Sequence, residues 1–272
     1  MSIEAAFILP HPPLIIPDIG RGEERKIPAS VDAYKEVMDK IRFIKPDTIV
    51  LISSHCSIYS DYIHIASGDF YEGTMSRFNA GHLKIKATYD KAFVSALEEK
   101  AKKEKIRAGT LGSEPRDMDH GSFIPLYFLN EVYKDFKLVR MGISFLPFDE
   151  HESLGRVIAR VSKELGRKTV IIASGDLSHK LKASGPYGYA KEGEEFDDKL
   201  IEGIEKGDLS IFTSFDPIWV EKAAECGLRT FIIMKGALEG LEVTSKVLSY
   251  EKTFGVGYGV ASFMVKGDKE ND

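Results

Sequence analysis

The chain has 272 residues, of which 43% are hydrophobic and 29% are charged, and its formal net charge at neutral pH is −5. This composition is ordinary for a soluble globular protein, and without a basic stripe nucleic acid is not an expected partner. No apolar run approaches the ~18 residues of a membrane span, the N-terminus lacks a signal-peptide pattern, and two cysteines are too few for a disulfide framework, so a cytoplasmic protein is expected.

The first predicted elements are two buried strands with a helix between them. Continuous apolar runs at residues 5–10 and 48–54 are typical of strands that are covered on both faces of a parallel sheet. Residues 30–44 have the apolar spacing of a helix, for which Ser30 is the candidate N-cap. Residues 61–81 are polar and aromatic, and we expect them to form strands or a long loop that covers the functional site.

The rest of the chain continues this alternation. Strands are predicted at residues 138–143 and 170–174, and residues 250–266 are glycine-rich and alternate in polarity, which predicts a closing strand or hairpin. Helices are predicted over residues 90–105, 124–133, 152–165 and 194–206, with one or two more between residues 219 and 240.

Alternating strands and helices predict an α/β fold with a largely parallel sheet. No repeat, linker or low-complexity segment divides the chain, so we expect a single domain over residues 1–266. The charged tail, residues 267–272, is expected to be disordered.

Two histidines follow the apolar runs directly. His11 comes after the first run and His55 after the second, and ligands in open α/β sheets bind outside the carboxyl ends of such strands. A histidine at a strand end is usually a capping or hydrogen-bonding residue, but the pattern occurs twice here. Two neutral imidazoles that face each other can begin a transition-metal site.

Two further histidines lie in polar turns. His179 follows the strand predicted at residues 170–174, and His120 precedes the helix predicted at 124–133. A neutral histidine can take a proton from a hydroxyl and later return it, so both are candidates for acid–base chemistry. Asp176 and Asp119 can orient these rings, or can be ordinary turn and cap residues.

A third metal ligand has two candidates that are adjacent in sequence. Catalytic Fe(II) commonly takes two histidines and one carboxylate, which favours Glu225 in a turn of small residues. The same glutamate is equally typical of a helix N-terminus. Cys226 is the rival, since it offers a soft thiolate, and Cys56, which is adjacent to His55, is expected to be a buried structural residue.

Five segments of the chain together carry a family resemblance. In order they are His11-Pro12-Pro13-Leu14, Ser53-Ser54-His55, Asp119-His120-Gly121-Ser122-Phe123-Ile124-Pro125-Leu126, Ser174-Gly175-Asp176-Leu177-Ser178-His179 and Glu225-Cys226-Gly227. The set resembles the class III extradiol ring-cleavage dioxygenases, of the type of the catalytic (beta) subunit of protocatechuate 4,5-dioxygenase, over almost the whole chain. The fourth and fifth segments look closer to the branch that accompanies the AmmeMemoRadiSam system and the Memo proteins.

The resemblance implies a mixed central sheet flanked by helices and a non-haem Fe(II) enzyme that cleaves an aromatic diol with O2, in aromatic compound catabolism. By that match His11, His55 and Glu225 would bind the metal. His179 would be the acid–base residue, and His120 would position substrate or oxygen. The expected partners are the aromatic diol and O2, and a homo-oligomer stays open.

Two other functions stay open. The Memo-like branch has cysteine at the position of Cys226, and a thiolate ligand would favour zinc or copper over Fe(II). The protein would then be a Memo-like metal-binding or redox protein without dioxygenase activity. A zinc hydrolase, which uses a metal-bound water in the same cleft, is the third alternative.

Overall fold

The computed structural model describes residues 3–113 and 118–266. The tail that is predicted to be disordered lies outside the described residues. The strands are β1 (Ile3–Leu9), β2 (Thr48–Ser53), β3 (Ile63–His64), β4 (Phe70–Met75), β5 (Ala80–Thr88), β6 (Ala108–Gly109), β7 (Lys137–Met141), β8 (Thr169–Ser174), β9 (Val243–Glu251) and β10 (Tyr258–Val265).

The α-helices are α1 (Pro17–Gly20), α2 (Pro28–Ile44), α3 (Lys91–Lys103), α4 (His120–Val132), α5 (Phe148–Glu164), α6 (Lys191–Glu205), α7 (Pro217–Ala223) and α8 (Leu228–Leu238). Short 3-10 helices cover Pro13–Ile15, Glu23–Lys26, Ser76–Phe78 and Leu209–Thr213. No helix in the described part of the chain is long and apolar enough to cross a membrane.

A six-stranded sheet in the order β7-β2-β8-β1-β10-β9 forms the centre of the protein. The first four strands in this order run parallel to one another, whereas β10 is antiparallel to both β1 and β9. The prediction of an α/β fold with a mixed, largely parallel central sheet flanked by helices is confirmed. Two small two-stranded sheets, β3-β6 and β4-β5, lie beside it.

Helices cover both faces of the central sheet, which explains why β1, β2 and β8 are mostly apolar and almost entirely buried. Along β2, Val50 and Ile52 pack into a core that includes residues of α3, α5, α6 and α8. Ile49 and Leu51 point the other way, into a core that includes residues of α2 and α4. Because successive strand residues alternate between faces, every residue of β2 is buried.

Four helix starts differ from the sequence prediction, and two of these helices, α5 and α6, begin four and three residues earlier than predicted. Ser30 is not an N-cap, because α2 already begins at Pro28, and the Ser30 N–H and hydroxyl both donate to Oε2 of Glu251. The helix predicted over residues 124–133 begins earlier, at His120, because the Asp119 carboxylate accepts the Ser122 N–H at 2.8 Å and acts as its N-cap. The segment 61–81 forms β3, β4 and the start of β5.

Helices α5 and α8 approach each other closely through two glycines. A Cβ atom on Gly155 would lie 2.0 Å from the Ile233 carbonyl oxygen, and one on Gly236 would lie 2.1 Å from the Glu152 carbonyl oxygen. The two backbones therefore touch where a side chain cannot fit. The position of α8 depends on this contact, and residues 225–227 lead directly into α8.

Gly155→Ala is expected to lower the free energy of unfolding by about 1–3 kcal/mol, because the added methyl group must push the two helices apart. Urea unfolding of the wild type and the variant measures this difference. Lys163→Ala, on the exposed last turn of α5, is the control and should stay within ~0.5 kcal/mol of the wild type. An unchanged midpoint for Gly155→Ala would contradict the close contact.

Candidate metal centre

Four histidines and one aspartate line a cleft of about 580 Å³ at the carboxyl edge of the parallel strands. His11 follows β1, and His55 comes two residues after β2, while β8 lies between these strands and leads to Asp176 and His179. His120, the first residue of α4, completes the set. The expectation that the strand-end histidines share one crevice agrees with this geometry.

Three side-chain atoms converge around Nε2 of His11. Nε2 of His55 lies 3.0 Å from Nε2 of His11, and Sγ of Cys226 lies 3.5 Å from the same atom of His11. All three lie within 4.8 Å of one another. Since metal–nitrogen and metal–sulfur bonds are about 2.0–2.3 Å long, one ion can reach all three donors.

The tautomer of His11 follows from its hydrogen bonds. Nδ1 lies 2.9 Å from Oγ of Ser174, and that hydroxyl donates its proton to the Gly121 carbonyl oxygen at 2.6 Å. Ser174 therefore accepts from His11, which puts the ring proton on Nδ1 and leaves the lone pair on Nε2. This is the arrangement that orients a metal-binding histidine.

The imidazoles around this point stay neutral at ordinary pH. Burial lowers the pKa of His11 to about 4, and burial together with the neighbouring His120 lowers the pKa of His55 to about 4. Burial, with His11 next to it, also lowers the pKa of His120 to about 4. Metal ligation requires the neutral ring, so these side chains need not lose a proton before they bind an ion.

Cys226 contacts two of the strand-end turns. The Asp176 N–H donates to Sγ of Cys226 at 3.2 Å, and the buried hydroxyl of Ser54 also approaches the sulfur. Burial raises the pKa of the Cys226 thiol well above its usual range, so the thiol keeps its proton in the empty site. Metal ligation requires the thiolate, so a cation that binds there must displace this proton. The donor set of two neutral imidazoles and one ionisable thiol fits a transition-metal ion.

Glu225 is not in this group. Its Oε2 accepts the Leu228 N–H at 2.6 Å, at the start of α8, where Gly227 has no side chain that could cap the helix. Burial raises the pKa of this carboxyl. Among the described residues, the structure therefore brings Cys226, and not the predicted ligand Glu225, next to His11 and His55.

His120 faces both strand-end histidines. Its ring centroid lies 4.1 Å from that of His55 and 5.1 Å from that of His11. Its neighbour Asp119 does not orient it, because that carboxylate caps α4 and pairs with the buried Arg140 at 3.1 Å.

The same network ties His55 and Cys56 to α4. Asp119 accepts the hydroxyl of Ser53 at 2.6 Å, and that hydroxyl oxygen accepts the His55 N–H at 3.1 Å. Nη1 of Arg140 donates to Sγ of Cys56 at 2.8 Å. Cys56 is buried in this network, as expected for a structural cysteine.

His179 lines the same cleft. Its Nε2 is 3.5 Å from Oδ2 of Asp176, and its ring stacks on that of Tyr187 with centroids 5.1 Å apart. Asp176 is therefore in a position to orient it. Asp176, His179 and Cys226 also form a second set of three donors within 4.8 Å of one another, which shares the sulfur with the first.

Apart from Pro12, Pro13 and Leu14, which belong to the first motif of the family resemblance, the remaining residues of the cleft wall were not identified from the sequence. Besides the histidines and Asp176, the lining consists of Pro12, Pro13, Leu14, Lys182, Ser184, Gly185, Pro186, Tyr187, Thr253, Phe254, Val256 and Tyr258. Most of these lie in the turn after His179 and just before or at the start of β10. The antiparallel direction of β10, which brings its first residue to this edge, was not deducible from composition.

One protein family matches almost the whole chain. Its description is "Catalytic LigB subunit of aromatic ring-opening dioxygenase", and the match covers residues 5–261. A solved structure, that of the uncharacterized protein JW3007 from Escherichia coli K12, superposes with a TM-score of 0.59 at 16% identity and covers 95% of this chain and 99% of that one. That likeness concerns the fold alone.

Three proteins that are similar to this chain in sequence have names that refer to different functions or to none. Protein CA_C1420 of Clostridium acetobutylicum is 36% identical and covers 96% of this chain, which spans 57% of that protein. The 3,4-dihydroxyphenylacetate 2,3-dioxygenase of Escherichia coli is 23% identical, over 83% of this chain and 86% of the relative. A MEMO1 family protein of Methanococcus maripaludis is 30% identical, over 54% of this chain and 53% of its own length.

Proposed function

The chain belongs to the family of catalytic LigB subunits of aromatic ring-opening dioxygenases, and we propose that it is a metal-dependent enzyme that opens the ring of a small aromatic diol with O2. The metal would be held by His11, His55 and Cys226. Fe(II) is the metal that this chemistry commonly uses. Such an enzyme would act in aromatic compound catabolism, in the cytoplasm, where the two free cysteines would stay reduced.

The observation that carries this proposal is that two neutral imidazoles, His11 and His55, meet in a cleft that is also lined by His179 beside Asp176. A metal held by these residues would supply Lewis acidity toward the diol and redox chemistry with O2. The protein's own contribution is the remainder of the cleft. His179, oriented by Asp176, would take a proton from a diol hydroxyl and return it later.

The walls of the cleft suit a flat aromatic ring. Pro12, Pro13 and Leu14 lie on one stretch of the lining, and Phe254 and Val256 lie on another. These apolar groups would hold the ring by contact and exclude water from the reacting edge. His120, whose ring faces His11 and His55, would position the diol or oxygen.

A second candidate function is favoured by the sulfur of Cys226. A thiolate is a soft ligand that suits copper or zinc, and it lies where the predicted third ligand was a carboxylate. On this alternative the protein would be a Memo-like metal-binding or redox protein without dioxygenase activity. The similarity to MEMO1 family proteins, which spans about half of the chain, is in line with it.

Metal analysis and oxygen uptake separate the two functions. Protein purified without oxygen is expected to carry about one equivalent of iron, and to consume O2 with at least one member of a panel of catechols while a yellow ring-opened product appears. Copper or zinc in the purified protein, with no oxygen uptake after iron loading, would contradict the dioxygenase and support the Memo-like function.

A further inference from the structure

Tyr258 is brought to the cleft by the direction of its strand. It is the first residue of β10, which runs antiparallel to β1, so the start of β10 lies at the edge where β1 and β8 end. The Gly257 N–H donates to the Ser178 carbonyl oxygen at 2.8 Å, and the Leu177 N–H donates to the Gly257 carbonyl oxygen at 2.9 Å. These bonds fix Tyr258 beside the turn that carries His179.

The hydroxyl of Tyr258 is unused within the described part of the chain. Other buried or half-buried tyrosines nearby have partners: Tyr34 donates to the Pro10 carbonyl oxygen at 2.6 Å, and Tyr250 donates to Oδ2 of Asp197 at 2.8 Å. Tyr258 is only 4% exposed and lines the cleft, yet its hydroxyl has no hydrogen-bond partner among residues 3–113 and 118–266. A buried phenol hydroxyl usually finds a partner, so this one is available to a molecule in the cleft.

The Tyr258 hydroxyl is expected to act as a hydrogen-bond donor. Burial, and next to it the carboxylate of Asp176, raises the pKa of Tyr258 well above its usual range. The phenol therefore keeps its proton. The acceptors that a bound aromatic diol would bring to this wall are its own oxygens, which gain negative charge as they lose their protons.

We propose that the Tyr258 hydroxyl donates a hydrogen bond to an oxygen of the aromatic diol bound in the cleft. Tyr258 is then a substrate-binding residue that the chain supplies in addition to its histidines. This inference rests on the proposed function, since it takes the diol as the ligand. It differs from a purely structural role, in which the ring packs against the cleft wall and the hydroxyl does nothing.

The test is the affinity for a diol that reports its own ionisation. 4-Nitrocatechol changes colour when it loses protons, so its binding to the iron-loaded protein can be titrated by absorbance without turnover under anaerobic conditions. Tyr258→Phe removes only the hydroxyl, and we expect it to bind the diol on the order of 10-fold more weakly or worse, as for a lost hydrogen bond to a charged group. Iron content and the thermal midpoint should not change.

Tyr189→Phe is the matched control. Its hydroxyl donates to Oε2 of Glu194 on the surface, and Tyr189 does not line the cleft, so this variant should bind like the wild type. Wild-type affinity in Tyr258→Phe would overturn the inference and leave the proposed function standing. If the wild type itself fails to bind the diol, the proposed function is wrong and the inference is overturned with it.

Discussion

Cys226→Ser is expected to lower the affinity for the metal by on the order of 100-fold or more, whereas Glu225→Gln is expected to leave it unchanged. Loss of an outer contact to a metal ligand already costs about 10–100-fold in affinity, so loss of a ligand should cost at least as much. The sulfur of Cys226 lies 3.5 Å from Nε2 of His11. A serine hydroxyl in its place is a poor donor for a soft transition-metal ion.

Glu225→Gln is the matched control because Glu225 is adjacent to Cys226 in sequence and is the rival candidate for the third ligand. Glutamine keeps a carbonyl oxygen that can accept the Leu228 N–H, as Oε2 of Glu225 does now. Competition between the protein and a chromophoric chelator under anaerobic conditions measures the affinity of each variant. His11→Ala provides the reference for a lost ligand, and the opposite ranking of the two variants would restore Glu225 as the third ligand.

The sequence alone could not predict which of Glu225 and Cys226 lies next to His11 and His55. Both lie in the turn between α7 and α8, and composition cannot say which of two adjacent side chains faces the cleft. The backbone decides it: Ala224 adopts a left-handed conformation with φ 51° after α7. The chain reverses there, and Glu225 then turns to the helix start while Cys226 faces the histidines.

The strand-end histidines could be predicted for a physical reason. Strands covered on both faces are mostly apolar, so β1 and β2 can be recognised in the sequence from their long apolar runs. The first polar side chains after such runs lie at the carboxyl edge, where the cleft forms. The location of His11 and His55 at this edge could therefore be predicted without any other information on the tertiary structure.

The residues and helix ends around the histidines were predicted less well from the sequence. The start of α4 was placed too late, although an aspartate before an apolar run is a known helix-start signal, and the capping role of Asp119 follows from it. Tyr258 could not be found, because its location depends on β10 being antiparallel. That direction is a property of the whole sheet, which no local pattern encodes.

His179→Gln is expected to lower the turnover rate by on the order of 10²–10⁴-fold while iron content and diol affinity stay near wild type. Glutamine has a similar reach and can still donate to Oδ2 of Asp176, which lies 3.5 Å from Nε2 of His179. It cannot take a proton from a diol hydroxyl, however. The step that fails is therefore proton transfer and not binding.

His82→Gln is the matched control for this prediction, because it makes the same substitution at an exposed histidine that pairs with Asp18. Oxygen uptake with the best catechol of the panel measures turnover, and absorbance titration with 4-nitrocatechol measures binding. Iron content must be determined for each variant, since His179 shares a set of metal-capable donors with Cys226. Loss of iron in His179→Gln would make this residue a metal ligand, and wild-type turnover would remove it from the mechanism. A loss of turnover alone, with iron and diol still bound, is the result expected of an acid–base residue.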